Sequence, residues 1–245
     1  MSSASYQSEL GDHVDLAGDR ERPDCRDDLV HLQYENAETG ETAPYRCGQW
    51  ECACCGYRMK MNLLEGIDEV VKNRPQMCRL LTLTVDPARV VDREAAHHDI
   101  GEAWNRLRSF IQSSYGDFSY IWVREETDLG YPHLHVIVSR FLPQGEISAA
   151  WARAGMGEVV DIRQVSARKT GHYIAKYLAK DAMAHMPSGT HRFGSSADIE
   201  LNVRGGSDGN EESDWRLMAE DAVTGVMVEA SPGDFIRRES DPPPE

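Results

Sequence analysis

The sequence predicts an α+β fold, with helices packed on a central antiparallel sheet. Two kinds of pattern lead to this prediction. Short aliphatic and β-branched runs bounded by turn residues indicate strands, and apolar residues spaced three or four apart indicate amphipathic helices. Along the middle of the chain these patterns alternate as β-α-β-β-α-β and end with a further helix.

The first elements precede a well-defined stop. Val30–Tyr34 is predicted as a short strand, and residues 57–72 as a helix with one apolar face. Arg79–Val85 is aliphatic and β-branched, and the Asp86-Pro87 pair that follows ends the predicted strand. Residues 92–113 repeat apolar side chains at helical spacing, so they predict the next helix.

The second half of the pattern begins with a hairpin. The predicted elements are a strand at Phe118–Glu125, a turn at 127–130, a strand at His133–Ser139, a helix from Pro143 to Ala154, a strand at Gly157–Val165 and a helix from Ala167 to Met183. This βαββαβα order is the split βαβ arrangement of ferredoxin-like folds. That arrangement places the first and third strands side by side in the centre of the sheet.

Composition divides the chain into four parts. We expect a disordered acidic arm at 1–24, a cysteine-rich module with a helix at 25–75, the main domain at 76–196 and a partly disordered acidic extension at 197–245. No run of about 20 apolar residues occurs, so no membrane span is expected. The first 26 residues are polar and acidic, unlike a secretory leader, and a cytoplasmic protein is predicted.

The net charge of −15, taken as a whole, argues against nucleic acid as a partner. However, the charge is uneven: residues 1–46 carry −7, residues 197–245 carry −9, and the middle carries +1. The basic residues are 5 Lys and 21 Arg. Excess carboxylate with few lysines favours a protein hydrated in concentrated salt, as haloarchaeal proteins are; an ordinary acidic cytosolic protein is the alternative.

Two histidines on the third strand suggest a metal site. His133 and His135 are two residues apart, so their side chains point to the same face of a strand. Glu125 lies on the partner strand of the predicted hairpin and would complete a His-His-carboxylate set, whereas Glu126 would point the other way. Such a set suits Mg²⁺ or Mn²⁺ better than structural zinc. Two purely structural histidines are the alternative. Three other histidines belong to no motif and are expected to be ordinary surface residues: His97, His98 and His172.

The last predicted helix presents phenols and ammonium groups together. Tyr173, Lys176, Tyr177 and Lys180 share one helical face. A phenol has a pKa of about 10 and is a weak nucleophile at neutral pH, so neighbouring lysines and a metal-polarised phosphate would help it to attack. The alternative is a solvated amphipathic helix with core tyrosines.

Together these segments resemble the HUH endonuclease superfamily, specifically the rolling-circle replication initiator (Rep) proteins of plasmids and viruses. Residues 81–87, Leu-Thr-Leu-Thr-Val-Asp-Pro, resemble the first motif of the family. Residues 132–135, Pro-His-Leu-His, resemble the second, and residues 173–180 resemble the nucleophile motif in its two-tyrosine form. The three motifs occur in the family's order over about residues 79–195.

The resemblance implies a site-specific DNA nickase and strand transferase. His133 and His135, with Glu125 as third ligand, would hold Mg²⁺ or Mn²⁺. Tyr177 would attack the scissile phosphate, leaving a 5′-phosphotyrosyl enzyme and a free 3′-OH, and Tyr173 would be the second nucleophile. Lys176 and Lys180 would steer phosphate or stabilise charge.

The substrate implied by the resemblance is single-stranded or hairpin origin DNA. Further bases around the tyrosines are candidate DNA contacts, namely Arg163, Arg168, Lys169 and Arg192. The last of these begins a short basic-aromatic segment similar to one in related Reps. No P-loop motif occurs, so a host helicase and polymerase would have to be recruited.

The chain has 6 cysteines, of which four lie between residues 47 and 55. This dense, turn-rich segment is typical of a zinc knuckle. Its similarity to a segment of plasmid and archaeal Reps selects Cys47, Cys52 and Cys55 as ligands. Cys25 is the best fourth ligand, and Cys54 could substitute. Free structural thiols are the alternative.

Two other classes of function are alternatives. An HUH transposase or relaxase is the nearest enzymatic alternative, but relaxases usually have three histidines and an N-terminal tyrosine, and single-tyrosine transposases are shorter and lack the cysteines. A non-catalytic, zinc-bearing nucleic-acid binder is the alternative from another class. Such a sheet would expose aromatic residues, whereas its predicted central strands carry Thr82, Thr84 and the two histidines.

Overall fold

The protein forms two antiparallel sheets, as described by a computed structural model. The residues it describes are 32–127, 129–165, 186, 190–203, 215–220 and 227–229. In chain order the elements are β1 (Leu32–Asn36), β2 (Thr42–Pro44), α1 (Ala53–Asn73), β3 (Arg79–Thr84), a 3₁₀ turn (Pro87–Arg89), α2 (Arg93–Tyr115), β4 (Tyr120–Glu126), β5 (Pro132–Val138), α3 (Gln144–Arg153), β6 (Val160–Gln164), β7 (Phe193–Ser195), β8 (Trp215–Glu220) and β9 (Met227–Glu229).

The main sheet has five strands in the order β6-β3-β5-β4-β7, and every neighbouring pair is antiparallel. The first and third of the predicted strands, β3 and β5, lie side by side, with Thr82 opposite His135 and Thr84 opposite His133. The predicted mixed class with an antiparallel sheet is therefore confirmed. The sheet also contains β7, which the sequence patterns did not predict.

Helices cover both faces of this sheet. Strand alternation sends Leu81 of β3 and Leu134 of β5 to one face, where they join a buried cluster with residues of α2 and α3 such as Ile100 and Trp151. We call this the α2–α3 face. On the opposite face, Leu80 of β3, Ile121 of β4 and Ile137 of β5 pack with the apolar stripe of α1, and we call this the α1 face.

Helix α1 begins at Ala53, earlier than the predicted start at residue 57. The reason is its N-cap, because the Cys52 sulfur accepts a hydrogen bond from the Cys55 amide at 3.5 Å. The first turn of the helix therefore contains Cys54 and Cys55, and the buried face continues through Met59 to Val71. Helix periodicity alone does not reveal such a cap, since cysteine is an uncommon capping residue.

The second sheet joins the two ends of the described chain. Its order is β2-β1-β8-β9, and β1 pairs antiparallel with β8, with Gln33 opposite Met218. Part of the predicted acidic extension at 197–245 thus forms strands. The predicted acidic arm at 1–24 lies outside the described residues.

Candidate functional site

The predicted metal ligands lie on the α1 face, at one end of β4 and β5. Glu125 is directly opposite His133 in the strand register, and His135 is two residues further along β5. Glu125 and His135 are in contact, with Oε2 2.7 Å from Nε2, and their exposed fractions are 4% and 2%. Geometry thus places a carboxylate oxygen and an imidazole nitrogen together in a buried position.

The His135 ring is held at both nitrogens. Thr82 of β3 places its Oγ1 3.2 Å from Nδ1, on the side of the ring opposite to the Glu125 contact. Histidines that bind metals are commonly oriented in this way by a hydrogen bond at the second ring nitrogen. Thr82 was not predicted as a site residue, although it lies in the first-strand motif.

The donor set has the chemistry of a hard divalent cation site. Two ligands that bind an octahedral Mg²⁺ at adjacent positions, each about 2.1 Å from the ion, are about 3 Å apart. The 2.7 Å between Glu125 Oε2 and His135 Nε2 is close to that spacing. His133 is half-buried and its ring centroid lies 6.3 Å from that of His135, so its nitrogens are not in the same close group.

The predicted nucleophile helix lies outside the described residues. This applies to Tyr173, Lys176, Tyr177, Lys180 and the candidate DNA contacts Arg168 and Lys169. Arg163 is described, on edge strand β6, where it is 62% exposed and pairs with Asp161 at 2.5 Å.

Arg192 does not have the exposed position expected of a DNA contact. Its side chain is 7% exposed, and Nη2 lies 2.6 Å from Oε1 of Glu51. The guanidinium also lies 6.0 Å from the ring of Trp50 and bonds to the backbone oxygens of Met186 and Thr190. Burial lowers the pKa of Arg192, while Glu51 acts in the opposite direction. The prediction of an exposed phosphate contact is wrong, since the guanidinium ties the segment around Glu51 to the start of β7.

Three of the predicted zinc ligands come together. The sulfurs of Cys47, Cys52 and Cys55 lie within 4.8 Å of one another, and among the described residues they are the group of three potential ligands that meets this distance. We call them the cysteine cluster; it could hold a metal such as zinc. The sulfur of Cys54 lies 2.6 Å from Nη1 of Arg46, and Cys25 is outside the described residues.

The cysteine cluster lies on the same face of the sheet as the histidines. Cys52 and Cys55 belong to the buried core on the α1 face together with Val123, which is two residues before Glu125 on β4. Trp50 packs edge-on against Phe193 of β7, with ring centroids 6.2 Å apart. The cluster therefore adjoins the strands that carry the candidate metal site.

Sequence reasoning missed a second group of charged residues, directly behind Glu125. His97 of α2 was expected to be an ordinary surface residue, but it is 6% exposed, and its Nε2 lies 3.1 Å from Oε1 of Glu126. Burial, and then the nearby Arg124 charge, lower the pKa of His97. Arg124 is 4% exposed, and burial lowers its pKa to about 10. Helical spacing contained a signal, because His97 precedes the buried Ile100 by three residues and Trp104 by seven.

Among the described residues, no helix has the length and apolarity needed to cross a membrane. The fold and site so far define a mixed α/β protein whose antiparallel sheet presents two histidines and a carboxylate on one face. Residues 78–182 match the model of a family described as replication-associated proteins of the ORF2 type. The match spans β3 to β6 and the nucleophile motif but not the cysteine cluster, and it confirms the resemblance to Rep-type replication initiators. Comparison with curated proteins found no match, and comparison with solved structures found none either.

Proposed function

We propose that this protein is a metal-dependent DNA nickase and strand transferase that initiates rolling-circle replication. The observation that carries the proposal is the buried contact between Glu125 and His135, with His133 on the same sheet face. These residues lie within the segment 78–182 that matches a replication-associated family. The strand order β6-β3-β5-β4 agrees with the split βαβ arrangement of HUH endonucleases.

The residues present fit a hard divalent cation. Glu125, His133 and His135 would hold Mg²⁺ or Mn²⁺, which when bound would polarise the scissile phosphate. The approach of His133 to the other two ligands would complete the set. Thr82 keeps the His135 ring in the orientation that presents Nε2 to the site.

The nucleophile in this proposal is the phenol of Tyr177, with Tyr173 as the second one. Its oxygen attacks phosphorus and loses its proton, while the bond from phosphorus to the 3′ oxygen breaks and that oxygen takes up a proton. The products are a 5′-phosphotyrosyl link and a free 3′-OH, and the phosphodiester energy is kept for rejoining. Lys176 and Lys180 favour the ionised phenol and bind the phosphate.

The substrate would be single-stranded or hairpin origin DNA, with a host helicase and polymerase recruited for synthesis. The region 161–192 supports this, because it carries six basic residues against two acidic ones in a chain of net charge −15. If the protein works in concentrated salt, electrostatic affinity for DNA is weak. Specificity then depends on base and shape recognition together with the metal.

A structural zinc ion is the second cofactor in the proposal. Cys47, Cys52 and Cys55 would provide three thiolates, and Cys25 the fourth. Measuring zinc per chain in the purified protein tests this directly. About one equivalent is expected in the wild type. A loss of zinc is expected in Cys52→Ser, and an equal zinc content in that variant would contradict the ligand assignment.

Nicking is tested with single-stranded origin DNA and Mn²⁺. An SDS-stable protein–DNA adduct is expected for the wild type, and none for Tyr173→Phe/Tyr177→Phe. His135→Ala should abolish nicking while the variant still folds. Tyr57→Phe is a matched control, because Tyr57 is 39% exposed on α1 and lies outside the motifs. Nicking that persists in the double tyrosine variant, or the absence of any adduct, would leave a non-catalytic nucleic-acid binder as the better account.

A further inference from the structure

The strand residues on either side of Glu125 are anchored behind the sheet. Because side chains alternate along a strand, Arg124 and Glu126 point to the α2–α3 face while Glu125 points to the α1 face. Arg124 is 4% exposed and the Glu126 side chain 19%. Both contact the same residue of α2, His97.

The contacts to His97 come from opposite directions. Nη1 of Arg124 donates to the His97 backbone oxygen at 2.8 Å. The His97 ring places Nε2 3.1 Å from Oε1 of Glu126. One helical residue therefore fixes the positions immediately before and after Glu125.

The tip of the same hairpin is held one turn earlier in α2. The Arg93 guanidinium lies 6.0 Å from the ring centroid of Tyr131. Tyr131 closes the turn by accepting from the Thr127 amide at 2.9 Å. The first turns of α2 thus contact both the hairpin tip and the strand residues that flank Glu125.

This cluster is a costly way to fill space. Burying an arginine and a histidine beside a carboxylate carries a desolvation cost, and apolar residues of similar volume commonly pack such a position at equal or lower cost. What a satisfied polar network provides is one defined geometry. In this hairpin that geometry concerns Glu125 and His133, which are directly opposite in the register.

We propose that His97 is a positioning residue for the metal centre, which holds Glu126 and thereby sets the orientation of Glu125 towards His133 and His135. This inference rests on the proposed metal site. It assigns to α2 a task separate from core packing: removing the imidazole leaves the strand in place but lets the β4–β5 hairpin vary in orientation. The affinity for the divalent ion then falls, because the unliganded ligands are less well ordered.

The test is Mn²⁺ binding by the full chain, followed by electron paramagnetic resonance and calorimetry. His97→Leu is expected to weaken binding at least tenfold, with the far-ultraviolet circular dichroism of the wild type retained. His97→Gln, whose amide can still donate to Glu126, should restore binding to within about threefold. His98→Leu is the matched control on the neighbouring position, since the His98 side chain is 77% exposed, and it should bind as the wild type does.

Three results would overturn the inference. The first is equal Mn²⁺ affinity in His97→Leu and the wild type. The second is a His97→Gln variant as weak as His97→Leu, which would show that the contact with Glu126 is not what matters. If His97→Leu does not fold, Glu126→Gln serves as the second variant, and unchanged Mn²⁺ affinity there is the third. Failure of the proposed function gives a different pattern, in which wild-type binding is absent or insensitive to His135→Ala.

Discussion

Replacing Arg192 and Glu51, singly and together, measures how firmly the segment of the cysteine cluster is fixed to the edge of the main sheet. The variants are Arg192→Met and Glu51→Gln. The Arg192 side chain is 7% exposed and that of Glu51 44%, with Nη2 and Oε1 2.6 Å apart. Exposed ion pairs are worth about 0–1 kcal/mol, whereas breaking a buried pair costs about 3–5 kcal/mol. A half-buried pair should therefore give a coupling energy of about 1–2 kcal/mol.

Urea unfolding of the zinc-loaded protein, for the wild type, both single variants and the double variant, yields this coupling energy. The exposed pair Glu102 and Arg106, 3.2 Å apart on α2, is the control cycle, with an expected coupling of no more than about 0.5 kcal/mol. Glu51→Gln should cost more than a surface substitution, because it leaves the buried guanidinium without its carboxylate. A coupling for Arg192 and Glu51 equal to that of the control pair would refute the reasoning.

Three further outcomes follow from packing and hydrogen bonding. Leu63→Ala removes a side chain of α1 that is 0% exposed and should cost about 2–5 kcal/mol in urea unfolding, and a cost below about 1 kcal/mol would argue against α1 on the sheet. Trp151→Phe removes the donor to the Thr84 oxygen at 2.8 Å and should cost about 2–4 kcal/mol, measured the same way. Hydrogen bonds from Ser196 and Ser119 lower the pKa of Asp198 from 3.8 to about 2, so the stability they contribute should be lost as pH falls through that window. Asp198→Asn should show less of this loss, and an identical pH profile would contradict the assignment.

Period-two patterns carried most of the information about the site. Aliphatic runs with Thr82 and Thr84 on β3, and with His133 and His135 on β5, predicted that these polar side chains share a face, and the register places them opposite one another. Glu125 was predicted from its distance along the hairpin, which works because a short turn fixes the pairing. Local spacing is enough whenever the contacts are local in the chain.

The contacts that sequence patterns missed are between distant segments. The bond between Glu51 and Arg192 spans 141 residues, and the pairing of β1 with β8 joins opposite ends of the described chain. Residue type misled as well, because an arginine in a basic segment resembles a DNA contact until its burial is known. His97 matches no motif, so its buried position could be inferred only from its place on the apolar side of α2.

The most direct test of the central claim is to locate the covalent link. The adduct formed with origin DNA and Mn²⁺ is treated with nuclease and trypsin, and the residual nucleotide is mapped by mass spectrometry. Cleavage at lysine separates the two candidate tyrosines, since Thr170–Lys176 contains Tyr173 and Tyr177–Lys180 contains Tyr177. The account predicts a phosphodeoxynucleotide on one of these two peptides. A nucleotide on any other peptide, or an adduct with no modified tyrosine, would contradict it.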